Sequence, residues 1–176
     1  MALTTDRTDP PQSGSELAIL RGFLDFHRRT LLIKTDGLDA DQLNRTLGPS
    51  RMTLGGLLKH LAFVEDNWFT VVLQGRPAEK PWASVDWSAD RDWEWSSAAT
   101  DTPDQLRTLL VDAVARSDAA VDRLGGDLDH LSARPDRHTG EPFSLRWILV
   151  HLVEEYARHN GHADLLRESI DGMTGE

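Results

Sequence analysis

Cysteine is absent from this 176-residue sequence. The chain therefore has no disulfide bond, no thiolate ligand for zinc or an iron–sulfur cluster, and no cysteine nucleophile. Any thiol chemistry that the protein performs must use a thiol supplied from outside the chain.

Long apolar runs and basic clusters are missing as well. No stretch of about 18 uncharged apolar residues occurs, and residues 1–16 lack a basic segment followed by an apolar core. We therefore expect a cytoplasmic protein with neither a membrane span nor a secretory signal. A formal net charge of −10, without a Lys/Arg-rich run, argues against nucleic acid as a partner.

The length suits one domain that buries most of its surface. Residues 1–12 contain Pro10, Pro11 and several small polar residues without periodicity, which predicts a disordered tail. Residues 13–176 are then predicted to form the domain. No segment shows the alternation typical of a strand, so the fold class is predicted to be all-α.

Four segments place apolar residues at helical spacing. The first helix is predicted to begin at a capping box of Ser13 with Glu16 and to end at Gly37, and the second to end at Gly75. The third is predicted to be capped by Thr102 and to end at Gly125, and the last to be capped by Ser144. Four amphipathic helices with connections of unequal length predict a four-helix bundle.

A tryptophan-rich loop separates the second and third helices. Residues 76–100 contain Trp82, Trp87, Trp93 and Trp95 among Asp and Ser, with no sustained period. Four tryptophans are costly to leave in water, so we expect an ordered loop folded over one end of the bundle. The pattern suits a lid over a binding site and a plain hydrophobic plug about equally.

The last helix carries polar groups on its apolar side. On a helical wheel of about 100° per residue that starts at Leu145, Glu155 falls near 280° and His159 near 320°, beside the apolar stripe. A buried carboxylate and imidazole would be costly without a partner. One turn apart, they are close enough to bind one ion or to hydrogen-bond to each other.

His60, on the second helix, flanks an apolar face and alone would be read as a packing residue. Together with Glu155 and His159 it completes a set of three ligands with an open position, the composition of a catalytic divalent-metal site. His27 also faces the core and is a further candidate, although a hydrogen-bonded histidine is the simpler interpretation. The paired Glu-x-x-His motifs of di-iron bundles and the His-Glu-x-x-His motif of metalloproteases are absent.

The segments "TLGGLLKHLAFVEDNWF" and "SLRWILVHLVEEYARHNGHADLLRESIDG" resemble the DinB/YfiT-like superfamily. The resemblance is to its actinobacterial branch of mycothiol-dependent transferases, related to the N-terminal domain of mycothiol-dependent maleylpyruvate isomerase. It covers nearly the whole chain and places the family's metal ligands on His60, Glu155 and His159. Many members have His-x-x-x-His in the last helix, whereas this sequence has the His, Glu, His set of the isomerase branch.

The resemblance implies a bundle with one divalent metal ion, zinc or nickel, that activates a low-molecular-weight thiol such as mycothiol. His151, His162 and Asp164 flank the ligand pair and are candidates for supporting positions around the metal, with solvated edge residues as the alternative. The isomerase carries a further domain after the bundle, so maleylpyruvate isomerisation itself is not expected of this chain.

The sequence thus predicts a metal-dependent thiol S-transferase in which a bound thiolate attacks a small electrophile. Two alternatives stay open: a metal-dependent hydrolase, and a bundle that binds metal without turnover. The sequence also leaves open whether the protein is a monomer or a homodimer.

Overall fold

A computed structural model describes residues 3–175 and shows an all-helical protein, as predicted. Within that range the only β-type pairing is an isolated bridge between Leu131 and Ser144. The helices are α1 (Glu16–Thr35), α2 (Ala40–Leu43), α3 (Leu54–Glu65), α4 (Trp93–Ser96), α5 (Pro103–Arg123) and α6 (Leu145–Asp171). A π-helical segment, Asp66–Leu73, continues α3, and short 3₁₀ turns span Trp82–Ser84 and Ala98–Thr100.

The long helices α1, α3, α5 and α6 pack around one apolar core, with α1 against α6 and α3 against both α5 and α6. The caps predicted at Thr102 and Ser144 are confirmed, and the structure adds a cap at Thr53 for which the sequence analysis made no prediction. The side chains of Thr53, Thr102 and Ser144 each accept a hydrogen bond from a backbone N–H in the first turn.

The predicted start of α1 was wrong by two residues. Ser15, rather than Ser13, caps the helix by accepting from the Ala18 N–H. Gly14 has a φ of +143°, which no right-handed helix contains, so the helix cannot begin before it. Glu16 bonds to Arg146 on α6 instead of closing a capping box.

One buried polar network joins all four long helices. The Arg28 guanidinium on α1 donates to both carboxylate oxygens of Glu65 on α3, at 2.7 and 2.8 Å. It also donates to Asp118 on α5 at 3.0 Å, and the Tyr156 hydroxyl on α6 donates to Glu65 at 2.9 Å. Glu65 is fully buried, so its charge depends on these partners.

The segment before α1 runs along that helix. Arg7 donates to the Thr30 hydroxyl at 2.9 Å, and Arg29 donates to the backbone carbonyl oxygens of Thr4 and Asp6. Met1 and Ala2, the first residues of the predicted tail, lie outside the described residues, as does Glu176 at the end of the predicted domain.

The tryptophan-rich segment folds onto the bundle and contains the two 3₁₀ turns and α4. Trp82 is 2% exposed, whereas Trp87, Trp93 and Trp95 are partly buried against the core. Among residues 3–175, no helix has the length and apolar character needed to span a bilayer.

Candidate metal centre

Helices α3 and α6 bring the three predicted ligands together. One nitrogen of His60, one nitrogen of His159 and one oxygen of Glu155 all lie within 4.8 Å of one another. The imidazole rings of His60 and His159 meet edge to face with their centroids 5.0 Å apart. Two imidazole nitrogens and one carboxylate oxygen at this separation could hold a shared divalent cation, whose bonds to such ligands are about 2.0–2.2 Å long.

His159 is held in the form that can bind a metal. Burial, with smaller contributions from neighbouring His60, His162 and Arg158, lowers the pKa of His159 to about 4. Its imidazole is therefore neutral at pH 7 and retains a lone pair. The Nδ1 atom of His159 is buried without a hydrogen-bond partner, whereas Nε2 lies 3.5 Å from Glu155 Oε2.

A carboxylate from the tryptophan-rich segment completes the surroundings of His60. Glu94, 5% exposed, places Oε1 3.2 Å from His60 Nδ1, while its Oε2 is buried without a partner. A carboxylate on one imidazole nitrogen orients the ring and leaves the other nitrogen for a metal. The sequence analysis did not identify Glu94. The tryptophan-rich segment contains several Asp and Glu residues, and no local pattern indicates which of them contacts His60, 34 residues away from Glu94.

Trp95 closes the cluster from the same segment. Its ring stacks on His60 with centroids 4.6 Å apart and an interplanar angle of 25°. The ring can approach because Gly56, one turn before His60, has no side chain: a Cβ there would lie 2.7 Å from Trp95 Cε3. Gly56 therefore has a packing role beside the site.

His151 contacts the cluster from one turn earlier on α6. Its Nε2 lies 3.6 Å from Glu155 Oε1, so the two oxygens of Glu155 face His151 and His159 respectively. His151, Glu154 and Glu155 form a second group with converging ligand atoms. Arg158 forms an ion pair with Glu154, which offsets one of the two carboxylate charges that this second group would offer a cation.

The remaining candidates lie further out. The His162 ring is 5.4 Å from that of His159, and its Nδ1 is buried without a partner. Asp164 forms an ion pair with Lys34 at 2.7 Å instead of facing the cluster. His27 receives a hydrogen bond from Asn160 on its backbone oxygen, and burial lowers the pKa of its imidazole.

Comparisons with known proteins concern the family and the fold. The sequence model of the mycothiol-S-transferase family matches residues 19–172, which include both segments that carry the resemblance. A crystal structure described as a conserved protein from Enterococcus faecalis is 16% identical and aligns with 92% of this chain and 100% of its own, with a TM-score of 0.69. At this identity the likeness concerns the fold alone. No curated protein matches the sequence significantly.

Proposed function

The chain belongs to the mycothiol-S-transferase family, and on that premise we propose that it is a divalent-metal-dependent S-transferase acting on a small electrophile. The proposed thiol is mycothiol or a related low-molecular-weight thiol. The convergence of His60, Glu155 and His159 is the observation that carries the proposal. We propose these three side chains as the ligands of one ion, with zinc or nickel favoured by two imidazoles and a carboxylate.

The ion would lower the pKa of a thiol that takes the position left open by three protein ligands. The other tasks fall to the chain. His159 offers a neutral nitrogen, Glu155 supplies the negative charge, and Glu94 orients His60 through Nδ1. The rings of Trp95 and His159, with centroids 6.0 Å apart, would limit access of water from this side, and such exclusion strengthens charge interactions.

The transfer balances without an oxidant or reductant. The thiol gives its proton to solvent water, a bond forms between sulfur and the electrophilic carbon, and the leaving group departs with the electron pair of the bond that breaks. Because the chain has no cysteine, no thiol of its own competes for the open position.

Two measurements test the proposal. Elemental analysis of protein purified without an affinity tag should give one divalent metal ion per chain. Conjugation of a fluorescent electrophile should then proceed with one thiol among mycothiol, bacillithiol and glutathione, and stop after chelation. Cleavage of esters or amides without any thiol would instead identify a hydrolase. Stoichiometric metal with no turnover, and a large drop in Tm on chelation, would identify a structural metal.

A further inference from the structure

The side of α6 that points away from the bundle carries exposed apolar side chains. Among residues 3–175, seven large apolar residues are at least 40% exposed, and three of them, Trp147, Val150 and Leu165, lie on this side of one helix. A fourth, Leu131, lies beside the start of α6, where it pairs with the cap residue Ser144. Isolated exposed apolar residues are normal in a monomer, whereas a concentration of them indicates an interaction surface.

The exposed residues of α6 form one stripe along the helix. On a wheel of about 100° per residue, Trp147, Glu154, Arg158 and Leu165 fall within about 40° of one another, and Val150 lies about 40° further round. From Trp147 to Leu165 the stripe is about 27 Å long, because a helix rises about 1.5 Å per residue. We call these five residues the outer stripe. It is distinct from the face of α6 that packs against α1 and α3.

The residues of the outer stripe are arranged symmetrically about its middle. Glu154 and Arg158 form an ion pair with each other, and their side chains are 44% and 67% exposed. They lie two residues before and after Tyr156, and Trp147 and Leu165 lie nine residues before and after the same position. When two identical helices run antiparallel about a two-fold axis, residues at equal distances before and after that axis face each other across the copies. The outer stripe is therefore complementary to itself.

We propose that the outer stripe binds a second copy of this chain, with the two α6 helices antiparallel about a two-fold axis at the level of Tyr156. Glu154 of each copy then faces Arg158 of the other, and Trp147 faces Leu165. A purely apolar partner would leave the two charged side chains in the middle of the contact without opposite charges. This inference is independent of the proposed function.

Two local features suit this arrangement. Ala157, exposed and one residue from the level of the axis, has a small side chain, which lets the two helices approach closely. A pocket of about 400 Å³ lies beside Trp147 and is also lined by Leu131 and Phe143. Leu165 of the second copy, opposite Trp147, lies at this pocket. The two-fold symmetry repeats the apolar contact at the other end of the stripe.

Analytical ultracentrifugation of the full-length protein at up to about 100 μM tests the proposal. We expect the mass of the wild type to approach that of two chains as the concentration rises. Leu165→Glu puts a carboxylate into both apolar contacts and should raise the dimer Kd by about tenfold or more. Leu47→Glu makes the same change at an exposed residue outside the outer stripe and should leave Kd unchanged. Circular dichroism checks the fold of each variant.

Reversing the charges tests the pairing across the copies. Arg158→Glu places carboxylates opposite each other and should weaken the dimer, because like charges that meet in an interface repel. Adding Glu154→Arg to this variant restores opposite charges and should restore the wild-type Kd. A double variant that dimerises as weakly as Arg158→Glu would contradict the proposed pairing.

Cross-linking tests the direction of the helices. Because the chain has no cysteine, a single introduced cysteine can be cross-linked only to a second copy. With a short bismaleimide, Ala157→Cys should give covalent dimers, since its two copies lie near the axis. Leu165→Cys should not, since its two copies lie about 27 Å apart along the helices. Ala115→Cys, at an exposed position on α5, is the control and should stay monomeric on a denaturing gel.

A wild type that stays monomeric over the whole concentration range would overturn the inference. A dimer whose Kd is the same in folded Leu165→Glu would place the interface elsewhere on the chain and would overturn it as well. Cross-linking of Leu165→Cys would refute the antiparallel arrangement. A monomer that binds phosphatidylcholine vesicles, with loss of binding in Leu165→Glu, would assign the outer stripe to a lipid surface instead.

Discussion

Glu94 Oε1 lies 3.2 Å from His60 Nδ1, so a residue of the tryptophan-rich segment holds a proposed metal ligand of α3. Both side chains are largely buried, and the second oxygen of Glu94 has no partner. The segment is therefore part of the candidate metal centre as well as a cover for it.

Replacing Glu94 should weaken metal binding. Glu94→Gln keeps the shape of the side chain but removes the charge that orients His60, and such supporting residues typically contribute about 10–100-fold to metal affinity. Competition with a chromophoric chelator measures that affinity. Glu141→Gln, at an exposed position between α5 and α6, is the control. Equal affinity in both variants would show that Glu94 does not act through His60.

Removing a proposed ligand should remove the metal without unfolding the bundle. In His159→Ala we expect metal stoichiometry to fall well below one per chain while far-UV circular dichroism is retained, because α6 is capped by Ser144 and packed against α1. His130→Ala, outside the cluster, should bind metal as the wild type does. Unchanged stoichiometry in His159→Ala would contradict the ligand assignment.

Each member of the buried Arg28–Glu65 ion pair should stabilise the fold only while its partner is present. Arg28→Met leaves the buried Glu65 carboxylate without its guanidinium, which we expect to lower the free energy of unfolding by about 3–5 kcal/mol. The double variant Arg28→Met with Glu65→Leu should recover more than half of that loss. Urea denaturation measures both. A double variant as unstable as the sum of its single changes would rule out this coupling.

Two glycines of the long helices should respond oppositely to alanine. Gly56→Ala places a Cβ against the Trp95 ring and should lower the free energy of unfolding by about 1–3 kcal/mol. Near-UV circular dichroism should change because the ring moves off His60. Gly161 has open space around its missing Cβ within α6, so Gly161→Ala should stabilise the fold by about 0.5–1 kcal/mol. An unchanged free energy of unfolding in Gly56→Ala would mean that the Trp95 ring moves aside without cost.

Local sequence patterns predicted much of the fold. Thr102 with Pro103, and Ser144, mark helix starts because capping depends on residues within one turn. The same locality explains the error at α1, where Ser13 and Ser15 are both suitable caps and only the backbone at Gly14 decides between them. Glu155 and His159 were predictable as a pair because helical spacing places them one turn apart.

By itself, the sequence determined the helical fold, the absence of any internal thiol, and the two helix segments that carry the candidate ligands. Tertiary structure alone decided that His60 and His159 meet with ring centroids 5.0 Å apart, that Glu94 supports His60, and that Asp164 pairs with Lys34. The physical reason is that helical periodicity states which face a side chain occupies. The side chains that meet across helices depend on how those faces pack, and on where a long loop returns to them.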